Sequence, residues 1–264
     1  MLTTEYLDRY SLPAPVFATV PHASRSERYA HIPTIRIVDH MKQLGFGVVQ
    51  AQAAKTKQPR EGSISKAGFQ PHILRFRHED AKPVLDGTVF DILLRNAHDG
   101  TKAIDLFGGA FRFVCANGIV TYSQDCGKAS IGHRGGNENL WDRIVESVKQ
   151  VQASTSVAER SIDGWTRKHL SFQQQIDFAT AALQLRYPNN DAPITPWQLL
   201  NVRRPEDDKG DAWSTFNRVQ ENITQGGYKG TATGKMRTIR RIRGADADLR
   251  LNAGLWSLAE KAFA

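Results

Sequence analysis

Phe69-Gln-Pro-His-Ile-Leu-Arg-Phe-Arg-His78 alternates apolar and cationic side chains. A period of two marks a strand whose faces differ. It places Leu74 and Phe76 on one face and Ile73, Arg75 and Arg77 on the other. Val89 to Arg95 repeats the pattern, with Phe90, Ile92 and Leu94 opposed to Asp91 and Arg95. Upstream, Phe46-Gly-Val-Val-Gln-Ala-Gln-Ala53 reads as another strand, separated from the first by a polar loop over Lys55 to Gly68. Downstream, Asp99-Gly100 has hairpin-turn composition. A long β segment follows, interrupted at Gly108-Gly109, with Phe111, Phe113 and Cys115 opposed to Arg112. Asn117-Gly118 turns the chain again before Ile119 to Tyr122. Residues 46–122 therefore predict an antiparallel meander.

Helical periodicity brackets this meander. Before it, four prolines make residues 1–33 irregular, and Thr34 opens a short helix with Ile35, Val38, Met41 and Leu44 on one stripe. After it, Asn139 begins a long amphipathic helix carrying Leu140, Trp141, Ile144, Val145, Val148 and Val151. Further helices are predicted over 172–187, 195–200, 211–225 and 248–263. Phe172, Ile176, Ala179 and Leu183 line the first of these, and Trp213, Phe216, Val219 and Ile223 the third. The expected class is α+β: an antiparallel β-meander packed on helices, with a strand-strand-strand-helix core and C-terminal helical additions. No repeat or linker divides the chain. One domain over 1–264 is expected, with a sheet-plus-helix core at 34–160 and a helical extension with a basic segment at 161–264.

The chain has 264 residues, with 35 Lys and Arg against 27 Asp and Glu, a net charge of +8. No apolar run approaches the roughly 18 to 20 residues of a membrane span. The start lacks the basic and apolar regions of a signal peptide, which implies a cytoplasmic protein with no membrane partner. Two cysteines cannot form a disulfide framework. The positive charge is concentrated in two stretches. Lys55 to Lys82 holds Lys55, Lys57, Arg60, Lys66, Arg75, Arg77 and Lys82. Arg218 to Arg243 holds Arg218, Lys229, Lys235, Arg237, Arg240, Arg241 and Arg243 against Glu221 alone. A charge run is by default a solvated face. Two runs rich in Gly, Thr, Ser and Gln point instead to an anion-binding surface.

Catalytic motifs are missing. Gly230-Thr-Ala-Thr-Gly234-Lys235 has one residue too few between its glycines for a phosphate loop, and Met236 stands where Ser or Thr belongs. Neither a dinucleotide fingerprint nor a nucleophile elbow is present. Cys115, Cys126 and His133 lack zinc spacing, and Cys115 on an apolar face reads as an inert thiol. His72 and His78 flank one strand and can meet His98 in space, but ordinary surface histidines explain them better than a metal. No cofactor and no metal are expected. The positive evidence is cationic. Arg75 and Arg77 share a strand face, Arg112 lies on a neighbouring strand, and Lys55, Lys57, Arg60 and Lys66 reach from the loop. Cations along such a groove follow the phosphates of a single strand, and aromatics add stacking. His133-Arg134-Gly-Gly-Asn137 is either a phosphate nest or a plain turn capping the next helix. Arg237-Thr-Ile-Arg-Arg-Ile-Arg243 is either an anchored helix turn with an outward basic face or an arm that orders on nucleic acid.

Several segments carry a family resemblance. They are Phe111-Arg-Phe-Val-Cys-Ala-Asn-Gly118, Ile131-Gly-His-Arg-Gly135 and Leu200-Asn-Val-Arg-Arg-Pro-Glu206. Asp211-Ala-Trp-Ser-Thr-Phe-Asn-Arg-Val-Gln-Glu-Asn222, Gly226-Gly227 and Leu251-Asn-Ala-Gly-Leu-Trp256 complete the set. Together they resemble a phage- and plasmid-borne family of unknown function. The strand-strand-strand-helix order is similar to that of single-strand annealing recombinases, which hold one strand in a basic groove beside a sheet without a nucleotide cofactor. The basic stretches, this sheet-plus-helix layout and the missing catalytic motifs together lead to the expectation of an ATP-independent single-stranded DNA-binding protein of a mobile element, annealing complementary strands and assembling as a homo-oligomeric ring or filament. Lys55, Lys57, Arg75, Arg77 and Arg112 would track phosphates. Arg134 and Arg237 to Arg243 would widen the groove or contact a second strand. RNA stays open, since a backbone-tracking groove accepts both. Two other readings stand beside this one: a host-interaction or anti-defence protein, and a metal-dependent nuclease built on Glu79, Asp80, Asp91 and Asp105.

Overall fold

The computed structural model describes residues 5–56, 58–59, 61–83, 87–112, 118–119, 128–133, 140–231 and 234–264. The expected β segment over Phe113 to Asn117, both cysteines and the Arg134 loop lie outside these residues. Contacts group the chain into two compact units. The first comprises residues 1–84, 88–111 and 124–155, and the second 85–87, 112–123 and 156–264.

The first unit starts with helix α1 (Thr34–Gln43), followed by strands β1 (Phe46–Ala53), β2 (His72–His78), β3 (Thr88–Asn96) and β4 (Ile104–Arg112). They lie in chain order, β1-β2-β3-β4. The pairs β1/β2 and β2/β3 are antiparallel, in registers that include Ala51↔Leu74 and Leu74↔Leu94. Strand β5 (Gly118–Ile119) follows in sequence. Strand β6 (Lys128–Ile131) then runs antiparallel to β4, with Ile104↔Ile131. The meander expected from the alternation is therefore present in an α+β fold. Leu74, Phe76 and Leu94 are fully buried on one face, together with Ile37 and Met41 of α1. Helix α2 (Leu140–Arg167) adds Ile144, Val148 and Val151 to the same core. It runs past residue 158, and its later turns belong to the second unit.

The N-terminal residues are less irregular than their prolines suggest. Two short 3₁₀ turns, Arg9–Ser11 and Ala14–Phe17, organise them, and the Leu7 N–H donates to Val48 O at 2.7 Å. Tyr6 lies so close over β1 that a Cβ at Gly47 would meet its ring at 2.2 Å. Glycine is required there by close approach.

The second unit holds α3 (Phe172–Arg186), α4 (Pro196–Leu199), α5 (Ala212–Gln225), the hairpin strands β7 (Lys229–Gly230) and β8 (Arg237–Thr238), and α6 (Ala245–Ala262). Its core is aromatic. Trp165 lies 4.7 Å from Trp256, Trp213 stacks on Phe216 at 5.7 Å, and Phe178 lies 4.7 Å from Phe263. Such pairs add about 0.5–1.5 kcal/mol beyond their buried area.

Helix α5 is central. Asp211 caps it by accepting from the Ser214 N–H at 2.7 Å, and Gly226 ends it at φ 65°. Its apolar stripe is buried as expected, but so are its polar residues. Gln220 donates to Asn252 Oδ1, and Asn222 donates to the carbonyls of Leu199 and Asn201, each at 2.8 Å. Glu221 receives a two-pronged bond from Arg204, at 2.8 and 3.0 Å. The Trp-x-x-Phe-Asn-x-x-Gln-Glu-Asn run is thus a scaffold: the buried side chains of Asn217, Gln220, Glu221 and Asn222 each have a partner, and losing one costs about 1–3 kcal/mol. Among the described residues, no helix is long and apolar enough to cross a membrane.

Candidate nucleic-acid interface

The sheet cations of the first unit face carboxylates. Arg77 is 5% exposed and Asp91 3%. Arg77 Nε donates to Asp91 Oδ1, and Nη2 to Oδ2, both at 2.8 Å. Arg75 Nε lies 3.3 Å from the same Oδ2, and burial lowers the Arg75 pKa. Arg95 Nε donates to Asp105 Oδ2 at 3.0 Å, and the Ser130 hydroxyl to Oδ1 at 2.6 Å. Alternation correctly set Arg75 and Arg77 on one face. What it missed is that β3 delivers Asp91 to that face. The pairing leaves Arg77 no open side for a phosphate. It also engages two of the four carboxylates considered for a nuclease. Glu79 and Asp80 lie exposed beyond the end of β2, and among the described residues no group of three or more His, Cys, Asp or Glu could hold a metal ion.

The loop cations are more open. Lys55 is exposed just beyond β1. Lys66 is half-exposed, with Nζ donating to the buried Asp99 at 3.2 Å. Lys57, Arg60 and Arg134 lie outside the described residues, as does the side chain of Arg112 at the end of β4.

The histidines form a network that the sequence only hinted at. His72 and His98 do meet, with ring centroids 5.3 Å apart, but they are 1% and 0% exposed. They are core groups, which corrects the surface reading. His78 stays apart, edge-on to Phe46 at 4.9 Å. Gln70 O lies 3.1 Å from His72 Nδ1 and can only accept, so that nitrogen carries the proton. His72 Nε2 then accepts from the Thr34 hydroxyl at 2.8 Å. Thr34 Oγ1 in turn accepts from Asn96 Nδ2 at 2.9 Å and from His98 Nε2 at 3.1 Å. Burial pushes the His72 pKa down to about 4. Burial, with neighbouring imidazoles adding to it, pushes that of His98 down to about 3. Both are neutral at pH 7. Beside them opens a cleft of about 1210 Å³, walled by Arg25, Arg28, Tyr29, His31, Lys102 and His133.

In the second unit the basic segment is a ribbon. Neither the helix turn nor the loose arm expected for 237–243 is found. β7 and β8 pair at Lys229↔Thr238 and Gly230↔Arg237. Ile239 is fully buried and pins the ribbon. Its N–H donates to Tyr228 O at 2.9 Å, and its carbonyl accepts from the Gly227 N–H at 2.8 Å. The Ile242 N–H donates to Thr224 O at 2.9 Å, and Arg186 donates to the carbonyls of Ile223 and Arg240. With the backbone fixed this way, the side chains of Lys235, Arg237, Arg240, Arg241 and Arg243 all stand exposed. Burial raises the pKa of Asp248, and Asn252 and Arg241 offset that only in part.

Comparison with known proteins places this scaffold. A family model described as a domain of unknown function, DUF932, matches residues 21–256. The chain belongs to the DUF932 family. It is 35% identical over 246 residues to each of two proteins of Escherichia coli (strain K12), the UPF0380 proteins YfjQ and YafZ, covering 93% of this chain and 86% of each relative. No solved structure matches. The DUF932 match spans the α5 run and the ribbon together. The family resemblance is met at this level. A mobile-element setting and a recombinase role are no part of these matches.

Proposed function

We propose that this protein binds single-stranded DNA without a nucleotide cofactor and anneals complementary strands for a mobile element. The supporting observation is the pinned ribbon: five exposed cations on a backbone held by Ile239 and Arg186. Fixing the backbone before binding lowers the entropy lost when cations order on phosphates. Single strands bind such surfaces through successive phosphates, with little sequence preference. Several copies in a ring or filament would align their ribbons along one strand and leave its bases free to pair. Lys55 is an exposed cation of the first unit that suits the same task.

Fluorescence anisotropy with a labelled oligo-dT tests the reading. Affinity should fall with salt, by about 0.7 in the log-log slope per phosphate contact. The variant Arg237→Ala/Arg240→Ala/Arg243→Ala should flatten that slope by about two. Failure to bind at low salt, or binding without a salt slope, overturns it. Annealing is checked with complementary labelled strands in the absence of ATP, and assembly by electron microscopy with and without DNA.

A further inference from the structure

The second unit keeps most of its aromatics inside: Trp165, Trp213, Trp256, Phe178, Phe216 and Phe263 are all at most 4% exposed. Two are outside. Phe172 is 54% exposed and Trp197 57%, yet their rings meet edge to face, with centroids 5.1 Å apart. Large apolar side chains scattered singly over a surface need no explanation. A held pair of exposed rings does.

Both rings sit on capped helix starts. Phe172 follows Ser171, whose hydroxyl accepts from the Gln174 N–H at 3.3 Å while Gln174 Oε1 accepts from the Ser171 N–H at 2.8 Å. Trp197 follows Pro196, and the Thr195 N–H donates to Gln198 Oε1 at 3.1 Å. The other end of Gln198 reaches the basic ribbon, with Nε2 donating to Lys229 O at 3.0 Å. Just beyond, Gly230 passes so close to Pro193 that a Cβ there would lie 2.1 Å from its carbonyl oxygen. One side chain and one bare backbone contact thus clamp the aromatic pair beside the ribbon.

We propose that Phe172 and Trp197 form a stacking platform for unpaired bases of the strand whose phosphates the ribbon holds. The inference rests on the nucleic-acid reading above and adds a base-binding subsite to it. Charge complementarity selects the occupant. The cations beside the rings call for a partner bearing regular negative charge, and the rings call for flat apolar faces at the same place. A single strand supplies both. A duplex hides its base faces within the stack, so the platform discriminates against it.

The test compares oligo-dT with an abasic deoxyribose-phosphate chain of equal length and charge, at one salt concentration. The wild-type protein should bind oligo-dT roughly 5- to 150-fold more tightly per stacked base. Phe172→Ala/Trp197→Ala should bind both chains as weakly as the wild type binds the abasic one, with an unchanged salt slope. Phe172→Tyr/Trp197→Phe keeps the π-faces and should keep the preference. Equal wild-type affinity for the two chains overturns the platform while leaving the ribbon reading intact. So does a base preference that survives the double alanine variant. Binding to neither chain overturns both. If the alanine variant changes only self-association, measured by light scattering, the pair is a contact between copies and the proposal falls.

Discussion

Arginines of the two units meet opposite fates. In the sheet, Arg77 and Arg75 converge on Asp91, and Arg95 on Asp105. On the ribbon, Arg237, Arg240 and Arg243 stand in solvent, and among the described residues none of the three makes an ion pair. Arg75, Arg77 and the ribbon arginines come from stretches that hold seven basic residues each. The difference lies in what the fold brings opposite. A strand inside an antiparallel sheet has a neighbour on each side, and one carboxylate at the right register can satisfy two guanidinium groups. The ribbon is a two-stranded hairpin anchored by the buried Ile239, and among the described residues no carboxylate pairs with Arg237, Arg240 or Arg243. The sheet charges hold the structure, and the ribbon charges remain available.

The largest way to break this comparison is Asp91→Ala. It leaves Arg77 buried without its carboxylate and should cost about 3–5 kcal/mol. Replacing both, as Arg77→Met/Asp91→Leu, should cost less, because the deeply buried Arg77 charge is then gone and only the more exposed Arg75 loses its contact with Asp91. Urea unfolding of the three proteins checks this. A single variant as stable as the wild type would show the pair to be idle. Next comes the anchor. Ile239→Ala should cost about 2–3 kcal/mol, the low end for such truncations because a ribbon can settle into the space. It should also weaken oligonucleotide binding, since the cations lose their fixed backbone. Stability and anisotropy measured on the same preparation separate the two effects.

The histidine network gives a third test. In the unfolded chain a histidine titrates near 6.5. In the fold His72 and His98 titrate at about 4 and about 3, held down by burial. Above pH 6.5 both states are neutral and stability is full. As pH falls below 6.5 the unfolded state takes up protons that the native state refuses, so stability falls until the native values are passed. From pH 7.5 to pH 6 the two together should remove about 1–2 kcal/mol. His72→Gln/His98→Gln should flatten the profile over that window. A wild-type profile already flat from pH 7.5 to 5 contradicts the assignment.

The parts legible in the sequence were those with local periodicity. Alternation over residues 72–78 gave β2 and its buried face, and the stripe from Ile144 to Val151 gave the first turns of α2. Asp99-Gly100 marked a real reversal, with Gly100 at φ 76°. What stayed hidden depends on register between distant strands. Asp91 reaches Arg77 only once β2 and β3 pair at Phe76↔Ile92, and no local pattern states that register. The histidine network needs side chains from α1, β2 and β3 together, so the meeting of His72 and His98 could be foreseen while their burial could not. For the ribbon, the apolar residue among arginines was visible as Ile239, but a spacing of three between Ile239 and Ile242 suits a helix turn as well as a pinned strand. Trp197 falls in the helix predicted over 195–200, and a stretch that short carries no stripe to tell an exposed face from a buried one.

The smallest predicted effect sharpens the comparison most. Removing the ribbon arginines one at a time, as Arg237→Ala, Arg240→Ala and Arg243→Ala, should change stability by no more than about 0.5 kcal/mol each. The contacts that pin the ribbon run through its backbone, including the Arg240 carbonyl and the Ile239 N–H, so they survive truncation of these side chains. Relief of mutual repulsion among the cations even favours a slight gain at low salt, fading as salt screens it. Thermal melts at 20 mM and 500 mM salt, spanning roughly the range over which the screening length shrinks severalfold, read this out. A loss of several kcal/mol from any of the three would mean that ribbon arginines serve the fold as Arg77 does. The contrast between held and available charge would then disappear.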